Sequence, residues 1–152
     1  MENRLKNKNA NNPDLWTAIQ HLHKAIAAGG VDPKLLALVH LRVSQINSCS
    51  ACVHASVAGG RKAGETEERL HHVAAWRETP FYTDAERAAL ALSEGATRLQ
   101  DGAEGVTDAI WEEVNAHFTE EEIGALNLEI ALTNFFNRLN RTVKEPAGRT
   151  WG

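Results

Sequence analysis

The sequence predicts an all-α, single-domain protein, and three observations carry that reading. Apolar residues recur at three- and four-residue steps through nearly every segment between turn signals. Helix-start signals open those segments: Asn12-Pro13, Asp32-Pro33, and capping boxes at Thr83/Glu86 and Thr119/Glu122. No clear period-two run exceeds four residues, and no Asn-Gly or Asp-Gly turn joins two alternating segments.

In order, Pro13 opens a segment whose Leu15, Ile19, Leu22 and Ile26 share a face until Gly29-Gly30 stops it. Pro33 opens a second, with Leu35, Leu36, Val39, Val43 and Ile46, which ends at Asn47-Ser48 directly before Cys49. A third runs from about Ser50 to Ala63 and closes at Gly64. Thr66 caps a fourth, with Leu70, Val73, Ala74 and Trp76 expected to face inward and Pro80 to break it. The Thr83 box opens a fifth carrying Ala89, Leu90 and Leu92, and Thr107 caps a short sixth carrying Ile110, Trp111, Val114 and Phe118. The Thr119 box opens the longest helix, through Ile123, Leu126, Ile130, Phe135 and Leu139.

At 152 residues the chain suits one domain with one substantial core. Residues 1–12, rich in Asn, read as a frayed arm, 13–145 as the helical domain and 146–152 as a tail. Hydrophobic residues make up 43% and the net charge is −4, so no broad basic surface for nucleic acid or anionic lipid is expected. No apolar run approaches the roughly 20 residues of a membrane span, and nothing resembles a signal peptide, which points to a cytoplasmic protein.

Both cysteines fall in one motif, Cys49-Ser50-Ala51-Cys52. Three residues apart at a helix start, their side chains share a face, and the spacing suits the roughly 4.4–6.8 Å between Cα atoms that a disulfide tolerates. The partial positive charge and free N–H groups of a helix start favour a thiolate, and a second thiol one turn away can resolve an oxidised sulfur. The pattern predicts reversible dithiol chemistry with no cofactor. Half of a zinc site is the competing reading, but a second Cys pair is absent. Completion would fall to His54, to His21 with His23, or to His71 with His72, which point about 100° apart on a helix. Inert buried thiols are a third reading.

The run Leu41-Arg42-Val43-Ser44-Gln45-Ile46-Asn47-Ser48-Cys49-Ser50-Ala51-Cys52 closely resembles the signature of the alkylhydroperoxidase D-like, carboxymuconolactone decarboxylase superfamily. The likeness continues through Arg61, through residues 63–70 and 74–81, and through Glu86-Arg87-Ala88-Ala89-Leu90. It implies a helical bundle assembled as a trimer or hexamer. It also implies an antioxidant peroxidase whose substrate is a hydroperoxide, re-reduced by a disulfide-carrying partner of lipoyl- or thioredoxin-like type. On that resemblance Cys52 attacks the peroxide and Cys49 resolves it. The family usually places a glutamate twelve residues before the first cysteine and a histidine four after the second, as a proton relay. Here those positions are Ala37 and Ser56. Neither is a base near neutral pH, so the resemblance also allows a redox-sensing or catalytically impaired member; a decarboxylase-like lyase is the other alternative. His40, three residues past Ala37 on nearly the same face, and His54, two past Cys52, are the candidate replacements for the relay. Ser56 is carried as a site position in its own right. Trp16, Trp76 and Trp111 read as core or interface anchors, and Gly59-Gly60 as a close helix approach. Adjacent Phe135 and Phe136, too large for one small subunit to bury fully, agree with a homo-oligomer.

Overall fold

A computed structural model describes residues 2–5 and 13–148, which covers the helical domain. The expected arm and tail otherwise lie outside the described residues. Among the described residues seven α-helices follow in order: α1 (Pro13–Ala28), α2 (Pro33–Ile46), α3 (Ser50–Ala63), α4 (Glu67–His72), α5 (Asp84–Thr97), α6 (Asp108–His117) and α7 (Glu120–Val143). A 3-10 segment, Val73–Glu78, follows α4. The described residues contain no β-strand beyond an isolated bridge between Gln100 and Ala103.

The boundaries follow the local chemistry. The Asp32 carboxylate accepts from Lys34 N–H with Pro33 in the first turn, and the Thr66 and Thr107 hydroxyls cap α4 and α6. Both capping boxes form, Thr83 with Glu86 and Thr119 with Glu122. Gly64, at φ 90°, ends α3 in the left-handed conformation that glycine adopts without steric cost.

α2 is the central helix, and its faces divide the core. One face sends Leu35, Val39 and Val43 against Ala89, Leu92, Val114, Leu126 and Ile130 of α5, α6 and α7. Another sends Leu38 and Leu41 against Leu70, Val73, Trp76, Tyr82 and Leu90. Each valine, leucine or isoleucine among them, fully withdrawn from water, contributes about 1.5–3 kcal/mol. Gly60 lets α3 approach α4: a Cβ there would stand 2.7 Å from Leu70 Cδ2. Gly59 faces open space, so only one of the two glycines serves the close approach.

One expectation differs from the structure, and two features go beyond it. Ala74 is exposed, because the chain passes from α-helix to the tighter 3-10 form at Val73 and the 3.6-residue period no longer holds. Trp16 and Trp111 are exposed while Trp76 is core. The third face of α2 is polar: His40, Ser44 and Asn47 meet a row of polar side chains on α7. No helix among the described residues is long and apolar enough to cross a membrane.

Candidate functional site

The polar face of α2 leads directly to the cysteines. Asn47 caps α2, and Ser48 takes a left-handed φ of 54°, uncommon for a residue with a side chain. That turn, held by Cys49 N–H donating to Ser44 O at 3.0 Å, sets Cys49 on the N-cap of α3. Cys49 and Cys52 form a disulfide with Cα atoms 5.3 Å apart. Both are buried, Cys52 at 4% exposure and Cys49 at 1%.

Each sulfur has one N–H donor. Cys49 Sγ accepts from the Cys52 main-chain N–H at 3.4 Å, the position a capping oxygen normally takes. Cys52 Sγ accepts from Asn140 Nδ2 at 3.2 Å. Asn140 belongs to a buried row on α7, Asn134, Asn137 and Asn140, spaced at three-residue steps. Asn47 Nδ2 donates to Asn134 Oδ1 at 2.9 Å and to Asn137 Oδ1 at 2.8 Å. Asn137 Nδ2 donates to Ser44 Oγ at 3.2 Å, and Asn134 Nδ2 to Thr97 Oγ1 and Ile130 O. Buried amides stay buried only when paired, and this network supplies the pairs while tying α7 to the chain entering the dithiol.

The other predicted positions have distinct fates. Ser56 is buried one turn beyond Cys52, and its hydroxyl donates to Cys52 O at 2.7 Å, so its proton is committed to the backbone. His54 is exposed on α3. Ala37 is half-buried beside Gly60. His40 Nδ1 stands 3.5 Å from Glu129 Oε1 on α7. Glu129 precedes Asn140 by eleven residues, about 16 Å along the helix, so His40 is not brought to the disulfide. Burial, reinforced by the charge of His23, lowers the His40 pKa to about 4. Burial raises Glu129 to about 7, against the Thr133 hydroxyl that donates to its carboxylate. At neutral pH the imidazole is therefore neutral, and the contact is not an ion pair.

Sequence reasoning missed Asn140 and Glu129. The available signal was Asn134-Phe135-Phe136-Asn137-Arg138-Leu139-Asn140, three amides recurring within an otherwise helical run. Among the described residues no group of three or more His, Cys, Asp or Glu side chains is placed to hold a metal ion.

A pocket of about 420 Å³ opens beside this network, lined by Asn47, Asn137, Arg138, Arg141 and Thr142. Neither cysteine lines it; two buried sulfurs in a helix-start setting, each with an N–H donor, can sustain thiol–disulfide chemistry.

Comparison with known proteins agrees with the architecture. The model of the carboxymuconolactone decarboxylase family matches residues 13–95. The uncharacterized protein YdfG of Bacillus subtilis (strain 168) is 33% identical over 128 residues, 84% of this chain and 86% of that protein. The uncharacterized protein YnjA of Escherichia coli (strain K12) is 31% identical over 117 residues, 77% of this chain and 63% of that protein. Among solved structures, ATU0492 of Agrobacterium tumefaciens, a protein of unknown function for which an AhpD-type antioxidant defence role has been suggested, superposes with a TM-score of 0.87. It is 29% identical and covers 98% of this chain and 100% of its own. The apo debrominase Bmp8, 23% identical with a TM-score of 0.78 over 90% of this chain and 72% of its own, shares the fold. From the span of the family match and the likeness to YdfG, the chain belongs to the carboxymuconolactone decarboxylase family.

Proposed function

We propose that the protein is a thiol-dependent oxidoreductase whose Cys49–Cys52 pair cycles between dithiol and disulfide while reducing a hydroperoxide. The observation that carries this reading is the disulfide at the start of α3, with an N–H donor on each sulfur. Cys52 attacks: its thiolate takes the distal peroxide oxygen, giving Cys52 sulfenic acid and, after proton uptake, an alcohol. The Cys49 thiol then displaces water from that sulfenic acid and closes the disulfide. An external dithiol, of lipoyl- or thioredoxin-like type, reopens it by two exchanges. The helix start favours thiolate at both sulfurs, and the Asn140 amide favours it at Cys52.

The Ser56 hydroxyl bound to Cys52 O, and the distance of His40 from the dithiol, support a second reading within this one. Without a base at the sulfur, disulfide exchange outpaces peroxide reduction, and the protein acts as a redox sensor. Assembly as a trimer or hexamer belongs to the same proposal. The exposed apolar groove of Leu15, Leu22, Leu128 and Phe135 between α1 and α7 supports it.

Free thiols counted before and after a hydroperoxide is added to the reduced protein test the reading. The expected result is loss of both thiols per chain, with a sulfenic acid trapped at Cys52 in the Cys49→Ser variant and no oxidation in Cys52→Ser. Two persistent thiols in the parent would overturn it.

A further inference from the structure

Two guanidinium groups, those of Arg138 and Arg141, line the pocket beside the asparagine row, and a third, that of Arg4, bonds the main chain of Thr142 in its wall. Arg141 Nη1 donates to Asn47 O at 2.7 Å, Arg138 Nη1 to Asn134 O at 3.2 Å, and Arg4 Nη1 to Thr142 O at 3.0 Å. Arg4 itself does not line the pocket. All three acceptors are main-chain carbonyls. Among the described residues these arginines form no ion pair, whereas Arg42, Arg61, Arg69, Arg77 and Arg98 each meet a glutamate; Arg87 also bonds only carbonyls, but spends its guanidinium on four of them. Glu145, at the same end of α7, accepts from Asn3. A guanidinium offers five N–H donors, and each of these engages its protein partner through one nitrogen.

The local charge is not a consequence of composition, since the chain as a whole carries −4. Its position is specific. Asn137, in the pocket wall, lies one turn before Asn140, whose amide touches the Cys52 sulfur; Asn47, hydrogen-bonded to Asn137 in the same wall, lies two residues before Cys49. Arginine forks of this kind match the two oxygens of a carboxylate. A pocket of about 420 Å³ is within the size range of small-molecule sites.

We propose that this pocket binds the carboxylate of a small disulfide or hydroperoxide and so presents its S–S or O–O bond to Cys52. The inference rests on the dithiol reading and adds the substrate's charge to it. With a disulfide, the Cys52 thiolate attacks one sulfur and expels a thiolate. The Cys49 thiolate then attacks Cys52 in the mixed disulfide and expels the second. The protein dithiol is oxidised and the small disulfide becomes two thiols.

The test compares reagents that differ in charge, on the reduced full-length protein. One is 5,5′-dithiobis(2-nitrobenzoate), which carries two carboxylates; the other is neutral 4,4′-dithiodipyridine. In the Arg138→Gln/Arg141→Gln double variant the carboxylate reagent is expected to slow about tenfold and the neutral one to change less than about twofold. The Arg→Lys pair should restore part of the rate. Salt raised from about 20 mM to about 500 mM should slow only the carboxylate reagent in the parent. A double variant that slows both reagents equally, or neither, overturns the proposal. Thiols inert to both reagents would instead overturn the dithiol reading, and the pocket's role with it. A fatty-acid hydroperoxide and its methyl ester form the second arm. Faster reaction of the acid assigns the pocket to hydroperoxides as well; equal rates, with the disulfide preference kept, assign it to disulfides.

Discussion

Glu94 and Glu129 are the same residue type, 5% and 7% exposed, yet their carboxyls sit at opposite ends of the carboxylate range. Burial alone pushes both up. At Glu94 it is outweighed by hydrogen bonds from Arg77, Trp76 and Arg42, and the carboxyl is held at about 2. Arg42 Nε and Trp76 Nε1 reach Oε1 at 2.7 Å and 3.0 Å, while Arg77 and Arg98 reach Oε2 at 2.7 Å and 2.8 Å. At Glu129 the neighbours are a threonine hydroxyl and a neutral imidazole, and the carboxyl rises to about 7. Partners, not depth, decide the charge. Arg138 and Arg141 at the pocket beside the asparagine row are the converse case, cations that the described chain leaves without a carboxylate.

Removing the Glu94 charge is the most direct way to break this comparison. Glu94→Gln leaves Arg42, itself largely buried, uncompensated, and about 3–5 kcal/mol of stability should be lost at pH 7. The sign with pH follows from the lowered carboxyl. Its contribution is present above the unfolded value near 4.5 and disappears as pH falls through about 2. Urea titrations from pH 7 to 3 should show the parent converging on the variant. A constant gap across that range would mean that the charge of Glu94 is not what stabilises the cluster.

Glu129→Gln sharpens the contrast with a smaller and opposite effect. A carboxyl raised in the folded state stabilises it below the unfolded value near 4.5, and that stabilisation is lost as pH rises through about 7. His40, lowered to about 4 from 6.5, acts in the other direction over much of the same window, so the parent should be nearly flat between pH 4.5 and 6.5. The glutamine variant should lose that flatness and gain on the parent by up to about 3 kcal/mol between pH 5 and pH 8. An identical stability difference at both pH values would show that Glu129 does not hold a proton in the folded state.

The smallest expected effect on stability is at the pocket. Arg141→Gln removes one exposed side chain that holds a single carbonyl, so the melting temperature should move by no more than about 1 kcal/mol allows. Scanning calorimetry beside the reagent-rate ratio checks it. A large loss of stability would place Arg141 with the structural arginines around Glu94.

The sequence by itself determined the helices and the dithiol. Caps, prolines and glycines act over three or four residues, so Thr83 with Glu86, Thr119 with Glu122, and Asp32 with Pro33 could be read without knowing what each helix packs against. The Cys49–Cys52 spacing is local in the same sense. Ala74 was misjudged where that logic stops, because no short-range signal announces the switch from α to 3-10 at Val73. Only the tertiary structure decided what surrounds the sulfurs. Cys52 and Asn140 are 88 residues apart, and Asn47 and Asn137 are 90 apart. Asparagine on a helix is ordinarily read as a solvated face, and what makes these three a site is that α7 packs them against the end of α2. His40 faced the right side of its helix but the wrong level, a distinction set by the register between two packed helices. Periodicity gives the direction of a side chain around its own axis; its partner depends on how a second helix is docked, and that is fixed by the whole core.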